Sequence, residues 1–275
     1  LEDGKGPRRV ALSFKQLGIS SLFPPRPILS NVSGYVLQGG ITASKFVSVA
    51  MHGVLTQHHV FDLVLVMGAS ESGKCVLMKV IAGRLPLLHI TGSITLGGVP
   101  INPTDLQNDI AYVPQNDFLM GELSARETLL NSYLMKRDQC LSKANREVDS
   151  LLKKFGLDHV ADNAIGTVFK RGLSGGQRKR VEVCSELVAP PSVLLLDEPT
   201  SGLDGAIAYD VLFAIKSILA ENKNLSLIIS IHQPNSRILE LFDNILLVGT
   251  SPYCYLLTPP HFYFFLYFKR FTRLF

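Results

Sequence analysis

The chain has 275 residues, 47 % of them hydrophobic and 18 % charged, a composition that excludes wholesale disorder and suits one large α/β domain or two small ones. Its net charge of +4 is too small to argue for a nucleic-acid partner without a clustered basic patch. The four cysteines (Cys75, Cys140, Cys184 and Cys254) are scattered, with no C-x-x-C pair, which favours a reducing, cytosolic setting over a disulfide framework.

The chain opens at Leu1 with neither Met nor an apolar signal core, and reads as a fragment or an internal start rather than a secretory leader. Arg9 to Leu17 and Ile28 to Leu37 are apolar and β-branched, as strands are, with Pro24, Pro25 and Pro27 turning between them. Leu63 to Met67 is wholly apolar and suits a strand buried on both faces. It runs into Gly68-Ala69-Ser70-Glu71-Ser72-Gly73-Lys74, followed by a helical stretch from Val76 to Ala82. His89 to Leu96 reads as a short strand turned by Gly97-Gly98, and Ile110 to Val113 as another that ends in Pro114-Gln115. From Leu123 to about Val188 the pattern is helical. Ser192 to Leu196 and Leu225 to Ile231 read as buried strands around an amphipathic helix from Asp204 to about Leu219. This alternation implies a mostly parallel sheet, with the central helical block inserted as a subdomain.

Strand, glycine loop and helix, in that order, form a phosphate-binding loop: backbone N–H groups and the helix N-terminus converge on one spot, and Lys74 adds a cation for the β- and γ-phosphates. The loop departs from its pattern twice. Cys75 stands where a Ser or Thr hydroxyl would ligate Mg²⁺, and a thiol is a poor partner for a hard cation. Glu71 places a carboxylate beside a loop built for anions. Further along, an apolar strand ends in Asp197-Glu198, which sets two carboxylates at the C-terminal edge of the sheet. Asp197 suits Mg²⁺, directly or through water, and Glu198 suits orienting or deprotonating an attacking water. Leu173-Ser174-Gly175-Gly176-Gln177 offers a hydroxyl and bare N–H groups to a phosphate at a helix start. A glycine-rich cap ahead of the Arg178–Leu187 helix would read the same way.

Placed between the P-loop and the Asp-Glu strand, that segment resembles the signature motif of ABC ATPases. The resemblance implies a P-loop NTPase (RecA-like) α/β core with a mostly parallel sheet, an antiparallel β region and an inserted α-helical subdomain. It implies ATP and Mg²⁺ as cofactors, held by Gly68, Ala69, Ser70, Glu71, Ser72, Gly73, Lys74, Cys75 and Val76. Catalysis would fall to Lys74, Glu198 and His232, and Asp197, Gln115 and, as a thiol ill suited to Mg²⁺, Cys75 would serve the metal. Gln115 is similar to the Q-loop glutamine, Asp204 in Ser201-Gly202-Leu203-Asp204 to the D-loop, and His232 to the switch histidine. Ser174, Gly175, Gly176 and Gln177 would bind the nucleotide of a second cassette, in a homo- or heterodimer.

The closest likeness is to the G subfamily of eye-pigment-precursor and sterol half-transporters. It rests on Val32-Ser33-Gly34, Lys79-Val80-Ile81-Ala82-Gly83-Arg84, Gly172 to Arg180 and Ser230-Ile231-His232-Gln233-Pro234. It implies ATP hydrolysis driving a lipid-like or small organic substrate across a membrane, with this domain on the cytoplasmic face. No apolar run approaches the roughly 20 residues that span a bilayer, so the transmembrane domain would lie off this chain. The cassette is assigned to residues 9–248, with an atypical insertion at 41–62 and the helical subdomain at 123–188. The tail at 249–275, aromatic from Tyr253 onward, lies outside the resemblance; both it and the insertion read equally as non-family sequence, and the tail also as a membrane-interface anchor. Phe23 is a candidate to stack on adenine. Arg178-Lys179-Arg180 reads as a solvated helix face, and no nucleic-acid partner is expected. Two alternatives stand beside the transport motor: an ATP-holding regulatory module impaired in hydrolysis by Cys75 and Glu71, and a soluble ABC-type ATPase.

Overall fold

A computed structural model describes residues 10–22, 26–37, 63–68, 73–85, 88–101, 109–167, 169–221, 225–232, 234–242, 244–248 and 255–258. The 41–62 insertion, Phe23, the P-loop residues Ala69 to Ser72, and the tail apart from 255–258 lie outside these.

Two sheets form the scaffold. The smaller is antiparallel, in the order β2 (Pro27–Leu37), β1 (Val10–Ser20), β4 (His89–Leu96), β5 (Val99–Pro100). The larger runs β10 (Tyr255–Thr258), β9 (Asn244–Val248), β3 (Leu63–Gly68), β8 (Ser226–Ser230), β7 (Val193–Asp197), β6 (Ile110–Val113). All its pairings are parallel except that of β10 with β9. The expected α/β class, with a mostly parallel sheet and an antiparallel region, is what the chain adopts.

β7 shows why the large sheet must be covered on both faces. Its residues are apolar on each side: Val193 and Leu195 pack with α1 (Lys74–Ile81) and the antiparallel sheet, through Leu77, Met78, Leu12 and Leu29. Leu194 and Leu196 pack into the other core, with α4 (Gly175–Leu187) and α5 (Gly205–Glu221), through Val181, Cys184, Val211 and Ile215. A strand buried on two faces gains nothing from alternation, so it reads as a continuous apolar run.

The second core continues into the helical subdomain. There α2 (Ala125–Lys136) and α3 (Leu141–Lys154) bury Leu129, Tyr133, Val148 and Leu152. α2 starts at a reciprocal cap: the Ser124 hydroxyl accepts from the Glu127 N–H, while the Glu127 carboxylate accepts from the Ser124 N–H at 2.8 Å. The 123–188 block is not helical throughout. A short 3₁₀ turn at Asp158–Val160 and a loop lead into α4; Gly166 and Gly172 in that loop, and Gly121 ahead of α2, let backbone pass backbone. In the tail, Tyr255 to Thr258 adds a strand to β9, an element that the aromatic composition conceals. Among the described residues no helix is long and apolar enough to cross a membrane.

Candidate functional site

The register of the large sheet assembles the site. Val66 of β3, Ser230 of β8 and Asp197 of β7 lie in one row across three parallel strands, and Val113 of β6 pairs with Leu196. The chain therefore leaves Gly68, Asp197, Ser230 and Val113 along a single C-terminal edge, where open α/β sheets take ligands.

Asp197 is 2 % exposed, and a carboxylate so buried needs donors. It has three: Ser230 Oγ donates to Oδ1 at 2.6 Å, Tyr112 Oη donates to Oδ2 at 2.9 Å, and the Cys75 thiol also bonds to it. Burial, then the Asp197 charge and hydrogen bond, push the Tyr112 phenol well above its ordinary range.

Glu198 sits in the left-handed backbone region at φ 46°, a conformation costing about 1–3 kcal/mol for a residue with a side chain. Its N–H is held at both Ser230 oxygens, the carbonyl at 3.1 Å and the hydroxyl at 2.9 Å. That twist separates the two acids: Asp197 stays in the sheet, while the Glu198 side chain accepts from Gln115 Nε2 at 2.8 Å. The same nitrogen lies 3.4 Å from Ser201 Oγ.

On β3's side, Gly73 caps α1 at φ 92°, a backbone conformation that favours glycine, and Leu29 Cδ2 lies 2.8 Å from where a Cβ would fall. Lys74 follows, 4 % exposed. Burial lowers its pKa, and the charges of Glu198, Cys75 and Asp197 oppose that fall. The Cys75 thiol is pushed up to about 11, by burial first and then by Asp197's charge and hydrogen bond, so it is a neutral thiol at neutral pH. As a Mg²⁺ site the set fits in part. Asp197 and Gln115 carry oxygen ligands suited to a hard cation, whereas a protonated sulfur facing the same carboxylate does not suit it.

The structure thus brings together Lys74, Cys75, Gln115, Asp197 and Glu198. Ser174, Gly175, Gly176 and Gln177 open α4, and the side chains of Ser174 and Gln177 each bond the other's backbone N–H. The Ser174 hydroxyl accepts from the Gln177 N–H at 3.3 Å, and Gln177 Oε1 accepts from the Ser174 N–H at 2.9 Å. A Cβ on Gly176 would meet Ile207 Cγ2 at 2.5 Å, so α5 packs directly on the α4 backbone. Asp204 caps α5, its Oδ1 accepting from Ala206 and Ile207 N–H. His232 is exposed, two residues past Ser230, while the Ile231 N–H anchors that segment to the Val66 carbonyl at 3.1 Å.

One expectation is overturned. Arg178-Lys179-Arg180 is not a solvated face: Lys179 is 8 % exposed, and Arg178 and Arg180 donate to the Leu173 and Phe155 carbonyls. Their heads satisfy backbone acceptors that the helical subdomain leaves in its interior. Two residues of the site, Ser230 and Tyr112, are not picked out by motif reasoning. The available signal was a hydroxyl closing the apolar run Leu227-Ile228-Ile229, and a phenol inside a buried strand.

An α/β sheet with a glycine-capped lysine helix and an acid pair on one edge defines a P-loop nucleotide-binding fold. The family described as "ABC transporter" matches residues 54–201. The chain is 39 % identical over 198 residues to ABC transporter G family member 24 of Dictyostelium discoideum, covering 70 % of this chain and 17 % of that protein. It is 34 % identical over 221 residues to the rat broad substrate specificity ATP-binding cassette transporter ABCG2, covering 80 % of this chain and 32 % of that protein. Against ABC transporter G family member 4 of Arabidopsis thaliana it is 38 % identical, covering 76 % and 35 %. The fold is similar to that of cbiO1 of Clostridium perfringens, part of the ABC transporter complex cbiONQ, with TM-score 0.73, 21 % identity, and 93 % and 91 % of the two chains covered. It is also similar to the ADP conformation of MJ1267, an ATP-binding cassette of an ABC transporter, with TM-score 0.66, 20 % identity, and 88 % of each chain covered. The chain belongs to the ABC transporter family, as a nucleotide-binding cassette with G-family relatives. It spans about a sixth to a third of the length of these curated relatives.

Proposed function

We propose that the chain binds ATP with Mg²⁺ against the Gly68–Val76 loop and hydrolyses it at an interface with a second cassette. The observation that carries this reading is the convergence of Lys74, Asp197, Glu198 and Gln115 on one sheet edge. Lys74 holds the β- and γ-phosphates, Asp197 and Gln115 offer oxygens to the cation, and Glu198 orients the attacking water. Mg²⁺ supplies charge neutralisation at the phosphates when bound. Ser174, Gly175, Gly176 and Gln177 at the head of α4, with Asp204 beside them, face the partner's nucleotide, and His232 completes the γ-phosphate contacts. Hydrolysis drives a lipid-like or small organic substrate through a transmembrane domain, with the cassette at the cytoplasmic face of the membrane. The transporter-family relatives favour this reading over a soluble ATPase.

Cys75 tempers the site, because its thiol occupies the hydroxyl position and bonds Asp197. The test is phosphate release by the purified chain, with and without Mg²⁺. Glu198→Gln should cut Mg²⁺-dependent release at least about a hundredfold, and Cys75→Ser should raise it severalfold. Release that needs no Mg²⁺ and survives Glu198→Gln would reject the assignment.

A further inference from the structure

The Arg178-Lys179-Arg180 run, which the proposed chemistry leaves unused, contains a buried ion pair. Lys179 is 8 % exposed and Glu182, one turn on, is 6 % exposed. The Lys179 ammonium donates to Glu182 Oε2 at 2.6 Å and to the carbonyls of Pro114 and Gln115, both at 3.2 Å. Those acceptors account for all three of its N–H donors. Arg178 adds a looser grip, with Nη1 3.9 Å from Asp117 Oδ2 and Nε donating to the Leu173 carbonyl at 3.4 Å.

Stability alone does not explain this pair. Taking two charges out of water costs several kcal/mol per ion, and well-packed apolar residues in their place are often as stable or more so. What an apolar pair could not supply is a fixed point for the backbone at 114–115. That backbone leaves β6 to carry Gln115, whose side chain reaches Glu198. At its other end the bond is rooted in α4, five residues from Ser174. One side chain therefore joins the helix that begins with Ser174 to the segment that sets Gln115.

We propose that Lys179, held by Glu182, is a positioning residue that ties Gln115 to the head of α4, so that a shift of the helical subdomain moves the Gln115–Glu198 contact. The proposal rests on the hydrolysis reading above for its effect on rate, and on geometry alone for the tether.

The variant to test is Lys179→Met/Glu182→Met in the full 275-residue chain, because removing one partner alone would strand a buried charge and unfold part of the protein. The double variant should melt within about 3 °C of the parent or above it. Backbone ¹⁵N order parameters at Gln115, Asn116 and Asp117 should fall below about 0.6, while those in β7 and β8 stay near about 0.85. In the same protein kcat for ATP should fall about tenfold with KM within about twofold, a split that a merely structural role would not produce. Unchanged order parameters at 115–117 overturn the tether. Lowered order parameters with an unchanged kcat overturn its role in positioning. A parent chain that releases no phosphate would instead sink the hydrolysis reading, and the order parameters would still decide the tether.

Discussion

At the sheet edge, Asp197 is 2 % exposed and takes a bond from each of three side chains, and Ser230 beside it is fully buried. In the helical subdomain, Arg126 reaches both Asp149 and Asp162, but those side chains are 32 %, 55 % and 78 % exposed. Both regions are dense in polar contacts, yet burial separates them. A buried bond leaves a stranded group when its partner is lost, whereas exposed partners fall back on water. The edge is therefore a place where one deletion propagates, and the outer helices are a place where it does not.

Ser230→Ala is the hardest blow to that contrast. It strands Asp197 Oδ1 and loosens the Glu198 N–H, so it should cost about 1–3 kcal/mol of stability in chemical denaturation. In a phosphate-release assay it should lower turnover about 10- to 100-fold through the displaced Glu198. Wild-type turnover would show that the row of strands, and not the hydroxyl, places the acids.

The cysteines carry the same comparison to a smaller effect. Cys140 in the helical subdomain is exposed, and hydrogen bonds with Ser142 and then the Lys143 backbone lower its thiol pKa, which enriches the thiolate. Cys75 at the edge is raised to about 11 and keeps its proton until strongly alkaline pH. Iodoacetamide at pH 8, followed by mass spectrometry, should modify Cys140 at least about tenfold faster than Cys75. Raising the pH through 9 to 11 should narrow the gap, because Cys75 is the thiol still left to ionise. The smallest change is Arg126→Ala, which should cost no more than about 1 kcal/mol and fade with added salt. A larger loss in a denaturant titration would erase the distinction between the two regions.

Much of the architecture could be read from the chain because its strands are short, apolar and punctuated. β4 and β6 fall on the expected residues, and the acid pair closes a strand that is otherwise aliphatic from Val193 to Leu196. Other features are invisible to a linear reading. The Ser230–Asp197 bond depends on β8 lying next to β7, which strand order decides and local pattern does not. Lys179 looks like any exposed helix cation until the Pro114 and Gln115 carbonyls are placed beneath it. β10 is hidden for a different reason: an aromatic-rich tail masks a strand of four residues, Tyr255 to Thr258, whose partner β9 lies just upstream.

The contact between Gly176 and Ile207 has a mechanical consequence. A methyl group on Gly176 would have to push the Ile207 side chain aside, so the first turn of α4 lies close against the first turn of α5. The two stretches proposed to greet a neighbouring cassette are therefore neighbours within one chain, and a bulkier residue at 176 would disturb both at once.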